Sequence, residues 1–167
     1  LGVKGVIFFF CLIAGFKEQK YVSNWIRVNA EFFSKLCTEY PDICVYMENM
    51  FDFDYELILK LSKELEDVTN FGICLDYAHA AISHVAPVEW LRKCAPYIKH
   101  MHINDNDLIN DLHMTLGKGK IDWQEFRREL ELLLEGGIMK KTPGILIELK
   151  SLESFEESIE LFNHVFN

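Results

Sequence analysis

The sequence predicts an α/β protein in which buried parallel strands alternate with amphipathic helices. Five short apolar runs have the composition of strands buried on both faces, and longer segments with helical spacing separate them. Right-handed crossovers join such strands, so the expected sheet is parallel, either an open layer or a barrel. No G-x-G-x-x-G follows a strand and no complete phosphate-binding loop occurs, which disfavours a doubly wound nucleotide-binding sheet.

Each predicted strand is rich in β-branched or aromatic residues. The strands are Gly5–Ala14, Ile43–Met47, Phe71–Leu75, Ile98–Ile103 and Ile145–Leu149. The predicted helices each carry an apolar stripe, and they fall within residues 25–36, 55–65, 90–97, 122–134 and 154–166. Asp122 and Glu125 form a capping box for the fourth helix, which Gly136 and Gly137 close.

Composition narrows the class of protein. A chain of 167 residues with 50% hydrophobic and 26% charged residues predicts one globular domain over residues 1–167. The net charge of −9 makes a nucleic-acid or membrane partner unfavourable and favours a small molecule. Five cysteines without a C-x-x-C pair indicate neither a disulfide framework nor a zinc ribbon, so a reducing, cytoplasmic location is expected.

The apolar run Val6–Phe16 is the one segment that invites a membrane interpretation. It is shorter than the ~20 residues that span a bilayer. It has the length of a signal-peptide core, but Lys4 alone flanks it, so a buried strand is favoured. Because the chain starts at Leu1 without Met, we expect it to be part of a longer protein.

Four predicted strands end in a residue that can bind a cation or move a proton. These residues are Glu48, Asp76, His102 and Glu148. In a barrel, the carboxyl ends of the strands converge at one mouth, so these side chains would meet there. Two Glu, one Asp and one His suit Mn²⁺, Mg²⁺ or Co²⁺, and Zn²⁺ also fits. The sequence therefore predicts one divalent-metal site.

Each of these residues alone also has a structural interpretation. A carboxylate that closes a strand often caps a helix or forms a loop ion pair, and Asp76 is placed to cap a helix that starts at Tyr77. A lone His79 is more often packed or solvated than bound to an ion. The coincidence at four strand ends favours the shared site.

The ordered motifs in this part of the chain resemble the xylose isomerase-like TIM barrel superfamily. They are Val45–Asn49, Gly72–Ala80, His100–Asn106, Asp111–Trp123 and Ile145–Glu148. That group contains sugar-phosphate isomerases and epimerases as well as endonuclease IV-type DNA-repair enzymes. A complete barrel has about 250 residues. The resemblance therefore implies a partial (β/α)8 barrel, comprising about the fourth to eighth strands and their helices.

The resemblance to the isomerase branch also implies roles for individual residues. Glu48, Asp76, His102 and Glu148 would bind the metal, and Glu48 and Glu148 would act as general base and acid in enediolate proton transfer on a sugar or sugar phosphate. His79 would contact a substrate oxygen. Asp105, Asn106 and Lys118 would position hydroxyls or a phosphate, with solvated loop positions as the equal alternative.

Two other functions remain open at this point. Endonuclease IV-like enzymes bind further zinc ions to cleave abasic DNA, and their additional ligands correspond here to His79, Asp111 and His113. Against this reading, Phe9–Cys11 occupies the place where that family usually has a His. The third hypothesis is a non-catalytic barrel fragment, which would form homo-oligomers through its open edge near Phe8–Phe10.

Overall fold

The computed structural model describes residues 2–9 and 18–166. The strands are β1 (Gly5–Phe9), β2 (Cys44–Glu48), β3 (Phe71–Asp76), β4 (Ile98–Ile103) and β5 (Gly144–Ile147). The helices are α1 (Gln19–Glu39), α2 (Glu56–Glu64), α3 (Tyr77–Ala81), α4 (Pro87–Cys94), α5 (Trp123–Glu135) and α6 (Leu152–Phe166), and a 3-10 turn at Ala95–Tyr97 precedes β4.

The five strands form one parallel sheet in the order β1-β2-β3-β4-β5. Together with the helices that follow them, they make a half-barrel. All five strands run in the same direction, so their carboxyl ends lie along one edge of the sheet. That edge carries the candidate site.

The core lies between the sheet and the helices. Met47, Ile73 and Met101 project from the strands into this layer, where Trp90 of α4 and Phe126 of α5 are also buried. Successive strand residues point to opposite faces, so Glu48, Asp76 and His102 project to the other, concave face. The apolar helix-facing layer therefore fixes which residues face the barrel interior.

Local signals in the sequence account for the element boundaries. Asp122 accepts a hydrogen bond from the backbone N–H of Glu125 at 2.8 Å, as the capping box predicts. At the other end of α5, Gly137 has φ +68°, a left-handed conformation that favours glycine. The predicted order of strands and helices is confirmed, with the short helix α3 as an addition.

The strand predictions agree to within one or two residues where the chain is described. The first strand is present over Gly5–Phe9, and the rest of its predicted length, together with Phe10 and Cys11, lies outside the described residues. Cys37, Cys44, Cys74 and Cys94 are free thiols. No helix in the described part of the chain is long and apolar enough to cross a membrane.

Candidate functional site

The four residues predicted to share a metal site come together at the carboxyl edge of the sheet. Glu48, Asp76, His102 and Glu148 each offer a ligand atom within 4.8 Å of the others. His102 Nδ1 lies 2.8 Å from Glu48 Oε1 and 3.1 Å from Glu148 Oε2. Residues from four stretches of sequence thus converge because their strands are parallel neighbours.

Several polar atoms of this cluster are buried without a partner. Glu48 Oε2, Asp76 Oδ2 and His102 Nε2 accept or donate no hydrogen bond within the described residues. Buried polar atoms in proteins are almost always hydrogen-bonded or bound to an ion. Two unpartnered carboxylate oxygens beside an imidazole fit a divalent cation.

Asn49 and α3 hold Asp76 in place. Asn49 Nδ2 donates to the Asp76 carbonyl at 2.9 Å, and Asn49 Oδ1 accepts from the Asp76 N–H at 2.9 Å. Asp76 Oδ1 accepts from the backbone N–H of His79 at 2.8 Å and caps α3. One carboxylate oxygen of Asp76 therefore caps α3, while the other faces the cluster, and the metal-ligand role of Asp76 stays a prediction.

Charge in the cluster perturbs the titration of its members. Burial raises the pKa of Asp76 to about 6, with a further contribution from Glu48 and an opposing one from His79. Burial lowers the pKa of His102, but the hydrogen bond to Glu48 and the surrounding carboxylates outweigh it and leave the pKa above its ordinary value. Burial thus disfavours the charged form of Asp76, while the carboxylates around His102 favour its protonated form.

A second group lies beside the first and contains His79, Asp111 and His113, whose ligand atoms lie within 4.8 Å of one another. His79 Nδ1 is 2.9 Å from the Asn49 carbonyl, so this nitrogen donates and Nε2 keeps its lone pair. His113 Nδ1 likewise faces the Glu148 carbonyl at 3.2 Å. The two Nε2 atoms lie 3.5 and 3.3 Å from the oxygens of Asp111.

Asp105 supports the loop between β4 and α5. Its side chain is fully buried, and its two oxygens accept four N–H groups, from Asn106, Gly117, Ile121 and the Trp123 indole. Both oxygens are thus occupied within the loop. The substrate role predicted for Asp105 stays a prediction, and the structure gives this residue an architectural one.

Asn106 and Lys118 have partners away from the carboxylate cluster. Asn106 Nδ2 donates to the Ala78 carbonyl at 2.8 Å and links the loop to α3. Lys118 is exposed, and its Nζ lies 3.7 Å from Glu157 of α6. The structure does not bring Lys118 together with the four strand-end residues, and its phosphate role remains an untested prediction.

Sequence reasoning missed three residues at the site. Asn49, Cys74 and His100 are given no site role from the sequence, although all three lie within the family-like motifs. The available signal was the alternation of strand residues, which places Cys74 on the same face as Asp76, and His100 on the same face as His102.

The sequence matches the family model of the Xylose isomerase-like TIM barrel over residues 1–162. The chain belongs to this family. The predicted fold class is therefore confirmed, and the half-barrel is part of a xylose isomerase-like TIM barrel. The crystal structure of a D-tagatose 3-epimerase-like protein superposes with a TM-score of 0.78 at 25% identity, covering 97% of this chain and 61% of that one.

Two curated proteins are similar in sequence to this xylose isomerase-like chain. An uncharacterized protein of Methanocaldococcus jannaschii, MJ1311, is 30% identical over 156 residues, covering 87% of this chain and 53% of its own length. A probable endonuclease 4 of Halorhodospira halophila is 26% identical over 132 residues, covering 64% of this chain and 44% of its own. The chain spans about half the length of these relatives.

Proposed function

We propose that this chain carries the metal-binding and proton-transfer residues of an isomerase or epimerase that acts on a small sugar or sugar phosphate. The observation that carries the proposal is the convergence of Glu48, Asp76, His102 and Glu148, in which one oxygen each of Glu48 and Asp76 is buried without a hydrogen bond within the described residues. The similarity to a D-tagatose 3-epimerase-like protein supports the sugar class.

These four residues would hold one divalent ion. Mn²⁺, Mg²⁺ and Co²⁺ suit three carboxylates and one imidazole, and Zn²⁺ also fits. Such an ion supplies Lewis acidity, which polarises a sugar carbonyl and its neighbouring hydroxyl. Asp76 and His102 orient the set, because Asp76 is fixed by the cap of α3 and His102 by Glu48.

Glu48 and Glu148 would move the proton. They stand at the ends of β2 and β5, with β3 and β4 between them, so a substrate lying over the cluster has one carboxylate on each side. One removes the proton next to the carbonyl to give an enediolate, and the other returns a proton. The Glu48 side chain is 2% exposed and that of Glu148 is 41% exposed, so Glu148 exchanges its proton with solvent more readily.

His79 would bind a substrate hydroxyl. Its Nδ1 proton is committed to the Asn49 carbonyl, and its Nε2 is buried without a hydrogen bond within the described residues. A fixed lone pair at that position accepts a hydrogen bond from a hydroxyl group. His79 therefore orients the sugar relative to Glu48 and Glu148.

Metal binding is the first test. We expect Glu148→Gln and Asp76→Asn to weaken Mn²⁺ binding strongly in calorimetric titrations, because each removes a charged ligand. Glu131→Gln changes an exposed carboxylate of α5 and serves as the matched control. Unchanged affinity in both site variants would contradict the ligand set, and a folded wild type that takes up no ion would favour the non-catalytic fragment.

Proton transfer is tested separately by deuterium exchange. We expect the metal-loaded chain to incorporate deuterium from D₂O into a ketose at the carbon next to the carbonyl, as measured by NMR. Glu48→Gln should abolish incorporation while Glu131→Gln retains it. Incorporation that persists in Glu48→Gln would exclude Glu48 from proton transfer.

A second candidate function is a zinc phosphodiesterase acting on abasic DNA. The observation in its favour is the group formed by His79, Asp111 and His113, in which two Nε2 atoms face one carboxylate. Similarity to a probable endonuclease 4 supports it in part. Two or three zinc ions per chain, lost together with cleavage of an abasic oligonucleotide in Asp111→Asn, would place this function ahead of the sugar enzyme.

A further inference from the structure

A third cluster of metal-binding side chains lies one layer deeper in the half-barrel. Cys74, His100 and His102 offer a sulfur and two ring nitrogens within 4.8 Å of one another. Cys74 is fully buried and His102 is 5% exposed. The ligands are softer than those of the carboxylate cluster, which predicts a preference for a different class of ion.

Local irregularity in the sheet builds this cluster. Ile73 pairs with Ile98 and Cys74 pairs with His100, so Lys99 is an additional residue in β4. Such a bulge re-aims the side chains that follow it. It brings His100 opposite Cys74, and His102 opposite Asp76, on the concave face.

Two neighbours fix the ring of His100. Tyr46 stacks on it with centroids 5.5 Å apart and planes 15° from parallel. Gly144 lies directly opposite His100 in β5, where an added Cβ would approach His100 Nδ1 to 2.8 Å. The ring therefore occupies space that any other residue at position 144 would fill.

We propose that Cys74, His100 and His102 form a binding site for a thiophilic divalent ion such as Zn²⁺ or Cd²⁺. One thiolate and two imidazoles are ligands that these ions prefer, with water completing a tetrahedral set. Binding displaces the proton of the Cys74 thiol, which passes to solvent. The unpartnered, buried Nε2 of His102 supplies a lone pair that no protein group uses within the described residues.

Sharing of His102 makes the two sites compete. A neutral imidazole has one lone pair and one N–H. When Nε2 binds an ion in the deeper site, Nδ1 carries the proton and donates to Glu48, as their 2.8 Å separation allows. His102 is then lost to the carboxylate site. Metal binding by Cys74, His100 and His102 does not depend on the proposed function. Only the competition between the two sites rests on that function.

The experiment is a titration of the whole chain with Cd²⁺ alone, followed by the ultraviolet absorbance of the cadmium–thiolate bond. We expect one saturating band in the wild type and none in Cys74→Ser. Mutating a residue that hydrogen-bonds to a metal ligand typically lowers metal affinity about 10–100-fold, and losing a ligand itself lowers the affinity more. His100→Gln should therefore weaken Cd²⁺ binding by about tenfold or more. Gly144→Ala should weaken it by displacing the His100 ring.

Matched variants separate this proposal from its alternatives. Cys94→Ser changes an equally buried cysteine in α4 and should keep the band. Glu148→Gln should keep the cadmium–thiolate band while losing Mn²⁺ binding. Cys74→Ser should still bind Mn²⁺, but one equivalent of Cd²⁺ should no longer displace the Mn²⁺. A band that survives in both Cys74→Ser and His100→Gln, or a folded wild type that gives no band, would overturn the proposal.

Discussion

Asn49 shows how one side chain can order a whole site. Its side-chain amide pairs with both backbone groups of Asp76, and its backbone carbonyl oxygen lies 2.9 Å from Nδ1 of His79. The residue is 1% exposed, so water cannot replace these bonds. Asn49 therefore aligns a proposed metal ligand and fixes the tautomer of a proposed substrate-binding histidine.

Asn49→Ala is expected to destabilise the fold and to weaken divalent-ion binding together. Leaving a buried backbone group unpaired typically costs about 1–3 kcal/mol, and both backbone groups of Asp76 lose their partner, so the loss in free energy of unfolding should be about 2–6 kcal/mol. Urea unfolding and Mn²⁺ titration measure the two effects. Asn24→Ala removes an exposed amide that accepts a hydrogen bond from Arg27 and should change neither quantity measurably. A fully stable Asn49→Ala would contradict this role.

At the scale of an element, the loop between β4 and α5 is organised around one carboxylate. Asp105 accepts four N–H groups and pairs in an antiparallel bridge with Met114. Gly119 passes so close that a Cβ would overlap Asp105 Oδ1 and the Asn106 carbonyl. The same loop carries Asp111 and His113, so the buried carboxylate positions the second ligand group from a distance.

Asp105→Asn should cost about 3–6 kcal/mol of stability, because the amide nitrogen replaces an oxygen that accepts two N–H groups, and bonds to a charged acceptor each contribute about 1.5–3 kcal/mol. Denaturant unfolding checks this. Asp107→Asn alters an exposed turn in the same loop and is the matched control. Equal losses in the two variants would show that Asp105 has no special place in the loop.

Helices α4 and α5 are joined by an ion pair whose contribution depends on pH. Arg92 donates to the buried Glu129 at 2.6 Å, and this bond holds the pKa of Glu129 below its ordinary value. When folding lowers the pKa of a carboxyl group, its charged form stabilises the folded protein at pH values above the pKa of the unfolded state. This stabilisation is lost as the pH falls through the pKa of the folded state.

Glu129→Gln is therefore expected to cost about 1 kcal/mol at neutral pH, because Arg92 is half-exposed and the pair is partly screened. The difference from the wild type should shrink as the pH falls below about 4.3, where the unfolded carboxyl becomes protonated. Thermal unfolding across this range measures it, with Glu131→Gln as an exposed control. A difference that grows on acidification would contradict the sign.

The whole molecule presents a concave sheet face and two strand edges. Within the described residues, β1 and β5 each pair with a single neighbour, and the side chains of Phe9 and Leu146 are 55% and 47% exposed. Unpaired edges and exposed apolar side chains favour association. The homo-oligomer expected to form through the open edge near Phe8–Phe10 remains a prediction.

We expect the isolated chain to associate in a concentration-dependent manner, and Leu146→Lys to reduce association by placing a charge on the concave face. Sedimentation velocity at several concentrations measures this. Leu132→Lys introduces the same charge at an exposed position of α5 and should leave association unchanged. A wild type that stays monomeric throughout would remove the basis for this prediction.

Fold and site differ in how much of them the sequence predicts. Apolar runs and caps predict the elements, because hydrophobic periodicity and helix-capping residues are local to each segment. The four strand-end residues are predictable because parallel strands align their carboxyl ends. The additional residue Lys99 and the pairing of Cys74 with His100 depend on register between strands, which no local pattern specifies. The burial of Asp105 could not be predicted from its motif either, because its partners include Gly117, Ile121 and Trp123, which lie 12 to 18 residues further along the chain.

The shared use of Asp76 makes one backbone amide an internal probe of the site. The His79 N–H donates to Asp76 Oδ1, while Oδ2 of the same carboxylate faces the cluster without a partner. Electron density drawn toward Oδ2 by a bound cation is withdrawn from Oδ1, so the bond to His79 weakens. If the proposed cation binds, we expect the amide proton resonance of His79 to shift upfield, so an NMR titration with the ion alone would measure occupancy without substrate.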